Sequence, residues 1–287
     1  MKALVVGAGG QLGQELIRTC PAVVELLAAT RTELDIGDRD AVLSYVADYR
    51  PDLIINAAAF TAVDGAESEP DLAVAINAEG PAALARAAEQ CGARLFHVST
   101  DFVFDGAASE PYKPGTEPRP LGVYGHSKLA GENRVREILP LGALIVRTAW
   151  VYSKYGNNFV KTMLRLMSER DALGVVNDQV GAPTWARGLA EALWAFVDYP
   201  SAHGVYHWTD GGRCSWHEFA TEIQSRARAL GMLEREIEIA AIPTAEYPTP
   251  AERPAFSVLD ISATEALLQR PAVAWQEQLQ SMLEDLQ

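Results

Sequence analysis

The chain opens on a short apolar run, Ala3-Leu-Val-Val6, which breaks into a turn with glycine at every third position, Gly7-Ala-Gly-Gly-Gln-Leu-Gly13. Gln14-Glu-Leu-Ile-Arg18 then continues as a helical pattern. This order, strand then glycine turn then helix, is the opening of a parallel α/β sheet. Gly7 permits the tight turn, Gly10 lets a pyrophosphate approach the backbone, and Gly13 lets helix and strand pack closely. The amino terminus of that helix offers free amides and the positive end of its dipole to any phosphate. A glycine triplet alone is weak evidence; directly after a buried-strand pattern it stands in the required context.

The rest of the chain repeats strand and helix. Strands are expected at Val23–Ala29, Pro51–Ala59, Arg94–Asp101, Leu144–Trp150 and Gly204–Trp208, and helices at Arg39–Tyr49, Ala82–Cys91, Trp185–Val197 and Ser215–Leu230. Gly92 marks a helix end. The fold expected is α/β: a Rossmann-type doubly wound parallel sheet. Ligands of such sheets bind beyond the carboxyl ends of the strands, so those ends deserve a census. The second strand ends at Thr30-Arg31, where a plain NAD site has a carboxylate. Arg31 suits a 2′-phosphate there, or else is a solvated loop residue. The third strand runs into small residues and then a loop, Ala58-Ala-Phe-Thr61. The fourth ends in Ser99-Thr-Asp101, while His97 within it reads as a packed core residue.

Tyr124 and Lys128 lie four residues apart where a Pro-rich segment gives way to a helical pattern, so phenol and ammonium project from one face. A nearby cation is expected to lower the pKa of the tyrosine and equip it to exchange a proton at a carbonyl. A surface tyrosine with a solvated lysine would give the same spacing. Trp150 is either core or the floor of a cleft. Gly156-Asn-Asn158 opens a helix, Asn177–Thr184 is read as a loop, and Arg253, next to Pro254, suits a diphosphate or is a surface cation.

The formal net charge is -14, so phosphate backbones and anionic lipid surfaces are repelled and neither nucleic acid nor membrane is an expected partner. Cys20, Cys91 and Cys214 follow no metal or redox spacing. With no leader and no apolar run near ~20 residues, the expected location is the cytoplasm.

Taken together, the motifs resemble the extended short-chain dehydrogenase/reductase superfamily. Asn56-Ala-Ala-Ala-Phe-Thr-Ala-Val-Asp64, Ser99-Thr-Asp-Phe-Val-Phe-Asp-Gly106, Tyr124-Gly-His-Ser-Lys-Leu-Ala-Gly-Glu132 and Asn177-Asp-Gln-Val-Gly-Ala-Pro-Thr184 resemble the dTDP-4-dehydrorhamnose reductase family in particular. The resemblance runs from residue 1 to about 260. It implies reduction of a sugar-nucleotide keto group, with Tyr124 as proton donor, Lys128 on the nicotinamide ribose and Thr100 on the C4 oxygen. The implied cofactor is NADPH, with NADH also accepted. Its site would comprise Gly7, Gly10, Gln11, Leu12, Gly13, Thr30, Arg31, Asp35, Ile36, Ala58, Ala59, Phe60, Thr61 and Val98 besides Tyr124 and Lys128. The sugar nucleotide would meet Thr100, Asp101, Trp150, Asn158, Thr184 and Arg253.

Residues 1–149 and about 186–232 are expected to form the dinucleotide-binding domain. About 150–185 and 233–287 would form a smaller, discontinuous substrate lobe. A homodimer is a further expectation. Some relatives dimerise around a divalent cation; Glu15 would serve such a site, but Arg187 stands where a second carboxylate belongs, so no metal is expected. Two alternatives keep the fold: a sugar-nucleotide epimerase or dehydratase, and a non-catalytic cofactor-binding subunit of a methionine adenosyltransferase.

Overall fold

In the computed structural model, which describes residues 1–287, the first strand β1 (Lys2–Val6) is buried on both faces. Its residues alternate: Ala3 and Val5 join one apolar cluster, Leu4 and Val6 another. The alternation recurs in β3 (Leu53–Asn56), β4 (Arg94–Thr100) and β5 (Ala143–Thr148), with β2 (Glu25–Ala29) beside β1. A strand buried on both faces belongs in a parallel sheet covered by helices on each side. Every pairing in this sheet is parallel, and the sixth strand, Gly204–His207, adds to β5. The strand order reverses between β1 and β3. This is the topological switch point at which an open α/β sheet leaves a crevice.

Helices α1 (Gln11–Arg18) and Ala186–Ala195 cover one face, joined by a hydrogen bond from Trp194 Nε1 to the Leu16 carbonyl at 3.1 Å. The other face is covered by α2 (Arg39–Tyr49), α5 (Gly80–Cys91) and α6 (Val123–Ile138). Between β3 and α5 the chain makes α3 (Val63–Ser68) and α4 (Pro70–Val74), then a wide π turn over Ala75–Glu79. The π turn presents Asn77, whose amide bonds both the N–H and the C=O of Phe60 at 2.9 and 3.0 Å and also donates to Ser127. Asn77 therefore pins the loop after β3 to α6.

The second lobe has its own core. Its elements are β6 (Val151–Tyr152), α7 (Phe159–Glu169), β7 (Ala172–Val176), β8 (Val180–Gly181) and β9 (Thr184–Trp185). Helix α8 (Ala186–Ala195) and β10 (Gly204–His207) return to the large sheet. Then come β11 (Cys214–Ser215), α9 (Trp216–Ala229), β12 (Glu238–Ile242), α10 (Ser262–Leu268) and α11 (Trp275–Leu286). The stretch expected to be a plain loop, 177–184, contributes β8 and β9, which pair with β11 and β6.

Two placements differ from the sequence reading. Helix α9, expected on the sheet as the partner of β10, instead buries Phe219, Ala220, Ile223 and Ala227 against α7 and α11 in the lobe core. The tail does not stay wholly in the lobe: Leu268 of α10 joins the sheet cluster, and the Thr264 hydroxyl donates to the His207 carbonyl. An amphipathic period gives the apolar face of a helix and not the surface it will meet.

Candidate active site

The crevice at the switch point is a cleft of about 810 Å³. Gly7 takes φ +82°, and a side-chain carbon at Gly13 would stand 2.3 Å from the Gly7 carbonyl oxygen, so turn and helix admit no larger residue. At the start of α1 no side chain caps the first amides, and Gly10, Gln11 and Leu12 line the cleft. That arrangement fits a pyrophosphate. Ala58, Ala59, Phe60, Thr61 and Val98 form the next part of the wall, and Arg31, Asp35 and Ile36 its far end. These fit a dinucleotide laid across the switch point.

Thr100, Asp101, Tyr124 and Lys128 close the inner end of the cleft. All four are buried, and Thr100 Oγ1 donates to Asp101 Oδ1 at 3.1 Å. Asp101 Oδ2 is buried without a protein partner. Burial pushes its carboxyl up to about 6, against the pull of the Ser257 and Thr100 hydroxyls. Tyr124 packs edge-on against Phe102, with ring centroids 5.5 Å apart. Its phenol is pushed up to about 12 by burial; the Thr100 hydroxyl acts downward and the Asp101 charge upward. This reverses the expectation of a tyrosine tuned downward by Lys128. The Lys128 ammonium instead donates to the Val98 carbonyl at 2.8 Å, and burial lowers it to about 8 while Glu132 holds it up. At neutral pH the cleft thus holds an intact phenol and, on the same wall, an ammonium.

Trp150 lines the cleft with φ +47°, a left-handed backbone that costs a bulky residue energy. What holds it is Trp216, absent from the sequence reading, whose ring stacks on it at 3.5 Å and 9°. Phe159 packs against Trp216 in turn. Arg253 also reaches the cleft, already paired with Asp64 through Nη2–Oδ2 at 2.8 Å and Nη1–Oδ1 at 3.1 Å.

Four expected residues do not line the cleft. Gly13 packs beneath the turn. Thr30 is occupied locally, with its amide and hydroxyl bonded to Glu33 at 2.8 and 2.7 Å. A carboxylate does therefore stand in the turn after β2, three residues beyond the position at which a plain NAD site carries one, in a Thr-x-x-Glu spacing the sequence displays. Asn158 caps α7 through its side chain and donates to Gln11 Oε1 at 2.9 Å, so it braces the glycine turn, while its neighbours Gly156 and Asn157 meet the cleft. Thr184 is fully buried with its hydroxyl 3.5 Å from that of Thr148. His97 is core, bonded through Nδ1 to the Asn56 amide at 3.1 Å. Glu15 is fully buried and accepts from Ser153 at 2.8 Å.

Over residues 1–287 the chain matches the family described as RmlD substrate binding domain. It is 42% identical to the dTDP-4-dehydrorhamnose reductase of Aggregatibacter actinomycetemcomitans, with 98% of each chain covered. Among solved structures it is similar to a dTDP-4-dehydrorhamnose reductase of Clostridium acetobutylicum, with TM-score 0.93 and 41% identity over 100% of this chain and 99% of that one. The enzyme of the same name from Bacillus anthracis, solved in complex with NADP, gives TM-score 0.93 and 37% identity over 99% of each. No helix is long and apolar enough to cross a membrane. The chain belongs to the dTDP-4-dehydrorhamnose reductase family.

Proposed function

We propose that this chain reduces the C4 keto group of dTDP-4-dehydro-L-rhamnose to the alcohol of dTDP-L-rhamnose, with NADPH as the preferred donor and NADH also accepted. One observation carries the reading: Thr100, Tyr124 and Lys128 share a single cleft with the glycine turn. The bound nicotinamide supplies the hydride. Tyr124 gives its phenolic proton to the C4 oxygen, so that carbonyl plus hydride plus proton balances to the alcohol. Thr100 orients that oxygen, and Lys128 binds the nicotinamide ribose and stabilises the phenolate left behind. Asp101 binds the sugar, Trp150 supports it on an indole held by Trp216, and Arg253, braced by Asp64, faces the diphosphate. The half built on the six-stranded sheet holds the cofactor, and the lobe around α7, α9 and α11 holds the sugar nucleotide. A net charge of -14 disfavours nucleic acid as a partner, and a cytoplasmic location is part of the same reading. A homodimer remains part of the proposal.

The test is oxidation of reduced cofactor in the presence of dTDP-4-dehydro-L-rhamnose, run against keto sugars carried on UDP and GDP. One cofactor should be consumed per sugar, fastest with the dTDP compound. Conversion of the sugar with no net consumption would identify an epimerase or dehydratase instead.

A further inference from the structure

Outside the cleft lining, one turn beyond Lys128 on α6, lies a buried ion pair. Glu132 is fully buried and Arg147 of β5 is 2% exposed. Glu132 accepts from Arg147 Nε at 2.9 Å and Nη2 at 2.7 Å, and its Oε1 also accepts from the Ser99 hydroxyl. Ser99 sits between Val98, whose carbonyl takes the Lys128 ammonium, and Thr100. A buried pair of this kind offers little net stability over apolar residues of the same size, so stability alone does not account for it. We propose that Glu132 is a positioning residue for the reduction: it clamps α6 to the end of β4 through Ser99 and supplies the counter-charge that keeps Lys128 an ammonium. This rests on the roles proposed above for Tyr124 and Lys128.

The surroundings offer Lys128 no other free counter-charge on the protein side. Arg147 is taken up by Glu132. His97 on β4 is held neutral, far below its usual range, by burial and by Lys128 itself. Glu67 of α3 accepts from the Val123 amide, and Glu79 of the π turn pairs with Arg134 of α6. Asp101 and Tyr124 face the cleft. Burial lowers Lys128, and the charge that opposes that loss is Glu132.

The experiment is the pH dependence of kcat/KM for the reduced cofactor in Glu132→Gln and in Glu132→Gln/Arg147→Met, the latter leaving no unpaired guanidinium. In both variants the alkaline limb should move down by about one pH unit, with cofactor KM at pH 8 raised about fivefold and at pH 6 close to wild type. Should the single variant fail to fold, the double variant decides. Profiles that keep the wild-type limbs and differ only by a constant factor would reduce the pair to a structural role. Lys128→Met separates the two layers of the account. If it abolishes turnover while the Glu132 variants keep the wild-type limb, only the Glu132 role fails; if it turns over normally, the reading of the site fails.

Discussion

Asp101 shows how much at this site is decided by surroundings that lie far off in sequence. Its carboxyl is raised from 3.8 to about 6, chiefly by burial. A folded value above the unfolded one means that the stability linked to this group is fully present below about pH 4 and is lost as pH rises through 6. Asp101→Asn should therefore add roughly 1–3 kcal/mol of stability at pH 7.5, read as a higher melting temperature. It should leave stability near pH 4 unchanged and lower activity through the lost sugar contact. Thermal melts at the two pH values check this, and a variant less stable at pH 7.5 would count against it. The i, i+4 spacing of Tyr124 and Lys128 was legible in the sequence because helical geometry imposes it. The direction of their pKa shifts was not. It depends on Ala66, Ala73 and Phe102, which pack around Tyr124 from other segments, and on a lysine bonded to the Val98 carbonyl.

Elements were legible where a local signal forced the backbone. The glycine turn, Gly92 as a left-handed helix end and α2 over Arg39–Tyr49 all stand where the residues placed them. What escaped depended on contacts between distant elements: the side of the molecule on which α9 packs, the Trp150–Trp216 stack, and the π turn that aims Asn77. The loop after β2 bears on cofactor choice. Arg31 is largely exposed and lies 3.6 Å from Asp35, which competes for its guanidinium. Arg31→Ala should cost about tenfold in NADPH-over-NADH preference, the worth of one exposed charge-assisted contact. Parallel kinetics with both cofactors would show it, and a preference indifferent to Arg31 would move the 2′-phosphate elsewhere. For the stack, Trp216→Ala and Trp150→Ala should each raise KM for the sugar nucleotide while cofactor binding stays within about twofold. A collapse of thermal stability without a selective binding defect would make the two indoles core and nothing more.

At the scale of the molecule, the doubly wound sheet brings turns from β1, β3, β4 and β5 to one crevice, and the lobe closes it with residues from 150, 216 and 253. The order of motifs along the sequence made the sheet half readable, since each loop follows its own strand. The lobe is assembled from separated segments whose pairings, β6 with β9 and β7 with β12, have no local signature. The central claim is that this crevice delivers a hydride to C4 and that Tyr124 delivers the matching proton. Single-turnover reaction of dTDP-4-dehydro-L-rhamnose with NADPH deuterated at the transferred position tests it most directly. The account predicts deuterium at C4 of dTDP-L-rhamnose and one cofactor oxidised per sugar. With Tyr124→Phe the rate should fall by roughly 10²–10⁴ while cofactor affinity is kept. Product free of deuterium with the cofactor unconsumed, or a Phe variant as fast as the wild type, would contradict it.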